Sequence, residues 1–411
     1  MNPAAGGRAP PPRWPLIDAL KALACLLIVA HHFSRYGPLP VAAWPLAPTL
    51  FEVLGREGRL AVQVFLVLGG FLTAASLAPE GELRAGHPCL RLVQRYVRLA
   101  SPYLAALVAC VLVEALVRPA LPGDDVPGQP SFVQMVAHAL LLQDLLNQPA
   151  LSTGVWYVAV DFQLYGLALL LFWVAALWRR QGRLDASVAR ALAVLMVTGL
   201  TSASLVVFNR HSALDDTGIY FFGSYGLGML AFWAGRLRAP RSRIAAGLAL
   251  ALLGGVALWI DWRSRIALAL VATLLLMLAQ PRGWLALSVW APLGRLGTWA
   301  YALFLIHFPV LLLVSASAQT GLAPLTPWQA LAALVAAFVL SVGAARMLHE
   351  RVELRAMSWR APAVWDRLAA QRPGRRPLRL RSGCASPARP RAARGARGPR
   401  RSRCSPGPWA S

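Results

Sequence analysis

Apolar runs of 17 to 22 residues recur along most of this 411-residue chain, and they limit its fold more than any other feature. Each is long enough to cross a hydrocarbon core of about 30 Å at about 1.5 Å per residue. Inside such a core each segment must satisfy its own backbone N–H and C=O groups, so the runs are read as α-helices. Composition points the same way. Hydrophobic residues make up 57% of the chain and charged residues only 14%, too few to cover a soluble protein of this size. The expected fold class is all-α, a polytopic membrane protein.

Ten spans are expected, at 16–33, 59–78, 97–118, 154–178, 187–208, 217–235, 244–260, 264–280, 299–318 and 328–348. Residues 244–280 are broken by "DWRSR" and read as a tight helical hairpin. Residues 131–147, "SFVQMVAHALLLQDLLN", have helical periodicity but carry Gln134, His138, Gln143 and Asp144. They suit an interfacial or re-entrant helix better than a span. Arg8 and Arg13 before the first apolar run imitate a signal peptide. No small-residue cleavage site follows, so the run is expected to stay as the first span.

The loops orient the bundle. With the N-terminus cytoplasmic, the inner loops hold twelve arginines and the outer loops four. The outer loops also hold eight acids, among them Glu57, Asp144, Asp215, Asp216 and Asp261. It is the arginine excess that sets topology. Three regions follow: a cytoplasmic N-terminal segment at 1–15, a transmembrane domain at 16–350, and a cytoplasmic tail at 351–411. From residue 371 the tail is rich in Arg, Pro, Gly and Ser and is expected to be disordered. Twelve of the residues from 371 on are arginine, a large part of the net charge of +24. That placement favours anionic lipid over nucleic acid as the partner. The five cysteines show no disulfide or metal-ligand spacing, and no metal is expected.

Ionisable residues inside spans are expensive, so each is a candidate for function. The first span, "LKALACLLIVAHHF", begins with Lys21, the only lysine among 41 basic residues, and ends with His31 and His32. Lys21 and His32 are eleven residues apart, about 20° from eclipsed and roughly 16 Å along the helix. Asp18 shares their face and is placed to pair with Lys21. His31 points about 100° away. A lysine near a helix end also snorkels to the interface without any other role.

Gly69-Gly70 in the second span allows close approach of a backbone or a thin ligand. Arg91, Arg95 and Arg98 line one face at the start of the third span. They suit either membrane anchoring or a phosphorylated ligand. In the fourth span Trp156 and Tyr157 suit an aromatic belt, whereas Asp161 needs a partner; Tyr165 lies one turn on. In the ninth span His307 sits beside Pro309, which frees a backbone carbonyl that a buried histidine can bind.

These segments, in this order, resemble the acyltransferase 3 family of integral-membrane acyltransferases over residues 14 to about 350. "LIDALKALACLLIVAHHF" is similar to the family's first span, with His32 on its catalytic histidine and Lys21 on the arginine of its R-x10-H motif. "FLVLGGFL" has Gly69 where the family has serine, and "RYVRLASPY" resembles its R-x-x-R…P-y segment. "VWYVAVDFQLY" has Asp161 for glutamate, and "GTWAYALFLIHFPV" matches with His307. The resemblance implies transfer of an acyl group, acetyl in the simplest case, from cytoplasmic acyl-CoA to a hydroxyl of an envelope glycan. No permanently bound cofactor is implied. It implies His32 as general base, supported by Asp161 and His307. It further implies that Lys21, Arg95, Arg98, Tyr165 and Trp156 serve donor and substrate binding. The setting would be a bacterial inner membrane with both termini cytoplasmic. Lysine for arginine keeps the charge but loses the bidentate fork. The competing class is a transporter whose intramembrane charges form a substrate path.

Overall fold

The computed structural model describes residues 14–84, 86–121, 126–319 and 324–359. All regular structure among them is helical. Residues 1–369 form one unit and 370–411 a second, which lies outside the described residues together with the tail expected to be disordered. Asp124 and Asp125 also lie outside them.

Helices stand where hydropathy places them. They are α1 (Pro15–Arg35), α2 (Pro38–Ala43), α3 (Pro48–Glu57), α4 (Val62–Leu77), α5 (Pro88–Val117), α6 (Phe132–Ala139) and α7 (Trp156–Arg180). Then come α8 (Ala186–Val206), α9 (Gly218–Gly235), α10 (Pro240–Ile260), α11 (Ser264–Ala279), α12 (Ala291–Gly297), α13 (Ala300–Gln319) and α14 (Pro327–Leu348). Eight stretches are long and apolar enough to cross a membrane; α9, with 18 residues, and α11, with 16, are not among them. The chain is a multi-pass membrane protein.

Local chemistry sets the helix starts. Proline stands in the first turn of α1, α5, α10 and α14, where its missing N–H costs nothing. Ser131 with Gln134, and Thr326 with Gln329, close capping boxes at α6 and α14. α6 stops after eight residues and residues 140–147 continue as turns, in keeping with a short helix rather than a span. Helical order passes the expected boundary at 350: a π-turn at His349–Glu353 and a last turn to Ser358 extend α14.

α9 forms the centre. Sixteen of its 18 residues are buried, as a helix apolar on every side requires. α4 crosses it with backbones in contact. A Cβ on Gly70 would stand 1.8 Å from the Tyr225 carbonyl oxygen, and one on Gly228 1.9 Å from that of Val67. The glycine pair therefore admits a neighbouring backbone. At the periphery, α5 exposes Val108, Leu112 and Leu116 at four-residue spacing, a lipid-facing stripe opposite buried Tyr103, Ala106 and Cys110. α10 and α11 pack as the expected hairpin.

Candidate active site

α1 and α13 meet along their length, tied by the Cys25 thiol donating to the Ala300 carbonyl at 3.2 Å. This contact brings together two histidines 275 positions apart. His32 Nδ1 lies 2.7 Å from His307 Nε2, and the rings are 10° from parallel with centroids 4.9 Å apart. Both are buried, His307 completely.

Hydrogen-bond chemistry orders the protons. His307 Nδ1 is 3.2 Å from the Leu303 carbonyl, which only accepts, so that nitrogen carries the hydrogen. Neutral His307 then presents a bare Nε2, which accepts from His32 Nδ1–H. Neutral His32 is left with a bare Nε2, the state a general base needs. The carbonyl freed by Pro309 is that of Leu305, four residues earlier, and His307 does not use it.

Aromatic rings and one glycine shape the pair's surroundings. Tyr36 sets its edge on His32 at 5.6 Å and on Phe308 at 5.7 Å. Gly154, at φ +77°, packs so closely that a Cβ there would lie 2.9 Å from Phe304 and 3.5 Å from His32 Cε1. Both the backbone and the space demand glycine. Sequence reading missed Gly154, Tyr36 and Phe304. The dipeptide "TG" before an aromatic helix start was the one available signal for Gly154.

The remaining expected residues fall into separate groups. Arg95 Nη2 donates to Asp161 Oδ2 at 2.5 Å, and its guanidinium lies 5.2 Å over the Tyr165 ring. Asp161 is thus held by Arg95 and not by a histidine. Arg95, expected to serve donor binding, thus carries its own buried counter-ion. Its fork reaches across from α5 to α7, and a carboxylate in a low-dielectric interior takes the nearest cation. The rings of Tyr157 and Phe304, 5.8 Å apart, stand between this pair and His307.

Lys21 donates to Asp18 at 3.2 Å, as their spacing foretells, at the opposite end of α1 from His32. Arg98 is exposed. His31 donates from Nδ1 to the Leu54 carbonyl at 3.0 Å and faces away from the pair. Trp156 lines a cavity at the His32 end together with Arg59 and Asp144.

The family model of the acyltransferase 3 domain, described as an acyltransferase domain, matches residues 14–346. The chain belongs to the acyltransferase 3 family. No curated protein and no solved structure matches it. Every group described above lies within the matched residues, so this member of the acyltransferase 3 family carries its histidine pair inside the family's domain. The chain is a membrane acyltransferase. Among the described residues beyond the match are the end of α14, the π-turn and the last helical turn.

Proposed function

We propose that the protein moves an acyl group, acetyl in the simplest case, from acyl-CoA to a hydroxyl of an envelope glycan, with His32 as general base. The observation that carries this reading is the 2.7 Å contact of His32 Nδ1 with His307 Nε2 while His307 Nδ1 faces the Leu303 carbonyl at 3.2 Å, an arrangement that leaves His32 Nε2 bare when both rings are neutral. A hydroxyl is a poor nucleophile at neutral pH, and a positioned imidazole takes its proton as attack begins. The acceptor oxygen bonds to the thioester carbonyl carbon and the C–S bond breaks. The proton taken by His32 passes to the departing thiolate, so ester and free CoA thiol balance the reaction. His307 receives a stronger hydrogen bond as His32 becomes cationic, the role of an orienting group in a catalytic triad.

In this reading Lys21 and Arg98 meet the donor's phosphates at the cytoplasmic end. Arg95, Asp161 and Tyr165 are positioning residues that hold α5 against α7. The membrane is the bacterial inner membrane with both termini cytoplasmic; an impermeant maleimide that labels Ser212→Cys in intact cells, but not Arg183→Cys, tests that orientation. Purified protein with labelled acetyl-CoA and an envelope-glycan extract tests the chemistry. Full transfer by a folded His32→Ala preparation would overturn it.

A further inference from the structure

Residues 131–151 carry their polarity inside out. Gln134, His138 and Gln143 are buried, whereas eight large apolar side chains between 132 and 146 are exposed. Phe132, Val133, Leu140 and Leu146 are each more than half exposed. Asp144 is the only Asp, Glu, Lys or Arg in the stretch, and it turns to the cavity beside Trp156. Contiguous apolar surface of this kind marks an interaction site.

The inward side is tied down. The Gln134 side chain donates to the Pro149 carbonyl at 2.7 Å. His138 Nδ1 donates to the Gln134 carbonyl at 2.8 Å, and its bare Nε2 accepts from the Leu151 N–H at 3.1 Å. After α6 the chain turns back through Leu141 at φ 58° and Asn147 at φ 51°, the two non-glycine residues with positive φ among the described residues. A buried leucine holds that conformation only where its surroundings over-determine it. The N–H groups of Leu140, Leu141, Leu142, Leu146, Asn147 and Gln148 all bond to carbonyls of the same segment. Hydrocarbon tolerates a turn only where its backbone groups have such partners.

Depth decides what lies outside. The Tyr96 hydroxyl donates at 2.6 Å to the carbonyl of Ala139, at the end of α6. Tyr96 precedes the end of α5 at Val117 by 21 residues, about 31 Å along a helix. The segment therefore stands beside a membrane-crossing helix and not beyond its end, where the medium around the bundle is lipid. We propose that lipid acyl chains cover the outward side of residues 131–147, and that this re-entrant element holds residues 149–154 over the histidine pair. Hydrocarbon outside keeps Gln134 and His138 turned inward, because the reverse would set polar groups in lipid. Those two side chains pin Pro149 and Leu151, and three residues on Gly154 packs on Phe304 and His32. The lipid contact does not rest on the acyltransferase reading; its effect on transfer does.

The test is power-saturation EPR of the full chain in lipid nanodiscs, with Cys89, Cys384 and Cys404 replaced by serine and one nitroxide on Val133→Cys or Leu146→Cys. Both labels collide with oxygen in preference to water-soluble NiEDDA, as does a label on Leu112→Cys in the lipid-facing stripe of α5 and unlike one on Ser212→Cys. Preference for NiEDDA overturns the proposal. So does shielding from both reagents, with spin–spin broadening naming a second copy as the cover and unbroadened spectra another protein. In Val133→Asn with Leu146→Asn, hydrogen exchange of the amides at 150–155 speeds up at least about tenfold while that of α13 stays as it was. Val133→Ile with Leu146→Met exchanges like the parent. Leu146→Asn alone, read against Leu146→Met, serves where the asparagine pair does not fold. Unchanged exchange in the folded asparagine protein overturns the hold on His32. Acetyl-CoA thiol release, measured alongside, falls about tenfold in kcat with KM unchanged. Lipid-exposed labels and faster exchange, without His32-dependent thiol release from the parent, sink the acyltransferase chemistry and leave the lipid-held element. His32-dependent release with water-exposed labels does the reverse.

Discussion

Replacing His307 with phenylalanine keeps a ring in a fully buried position and removes the acceptor of the His32 proton. Two costs follow. The hydrogen bond from neutral His32 is worth about 0.5–1.5 kcal/mol, and the bond from cationic His32 in the transition state about 1.5–3 kcal/mol. The difference, about 1–1.5 kcal/mol, is what the rate loses directly, roughly five- to thirteenfold. In addition nothing then holds the hydrogen on Nδ1. Any fraction of His32 with its hydrogen on Nε2 has no lone pair for the acceptor. Together these place the fall in kcat for His307→Phe at about 10- to 100-fold, with the KM for acetyl-CoA unchanged. His307→Gln offers a carbonyl oxygen to Nδ1 and recovers part of the loss. The assay is colorimetric release of CoA thiol by protein in nanodiscs, with thermal melts confirming the fold. A folded His307→Phe protein within twofold of the parent, or a glutamine variant no better than phenylalanine, refutes the dyad.

Asp161→Asn leaves the Arg95 guanidinium without its counter-ion and is expected to cost about 3 kcal/mol of stability. Arg95→Gln in the same chain restores part of it, and melting of the four proteins in one double-mutant cycle measures the coupling. Gly70→Ala fails to fold because its methyl would overlap the Tyr225 carbonyl, whereas Gly69→Ser folds, since a Cβ there lies 3.1 Å from the Tyr225 ring edge and 3.5 Å from an Asp161 oxygen. Expression with size-exclusion profiles separates the two. Burial, and secondarily Asp216, pushes the Asp144 carboxyl up to about 6. An unfolded chain has it near 4, so the folded protein holds this proton more tightly, and stability from this site is lost as pH rises through about 6. Asp144→Asn therefore raises the melting temperature at pH 7.5 and gives no gain below pH 4; an equal gain at both values refutes the assignment. The groups facing Asp144 across the cavity are Asp215, Asp216, Glu57, Arg56, Arg59, Arg263 and Arg265.

What hydropathy could and could not tell divides along a physical line. A span is a property of one segment, because lipid forces it to satisfy its own backbone. So the start of α7 at Trp156 and the break at Asp261 were legible from local residues alone. Pairing within α1 was legible for the same reason: Asp18 and Lys21 share a face at three-residue spacing. The partners of His32 and Asp161 depend on which helices become neighbours, and a span's composition holds little record of that. Both acids and bases inside a bundle need partners, and several arrangements would have satisfied them. The packing decided it: α13 lies on α1, and α5 reaches α7. The outer segments were the least legible. Residues 34–58 read as one loop fold into α2 and α3, with prolines in their first turns, and α3 delivers Arg56 and Glu57 to the cavity.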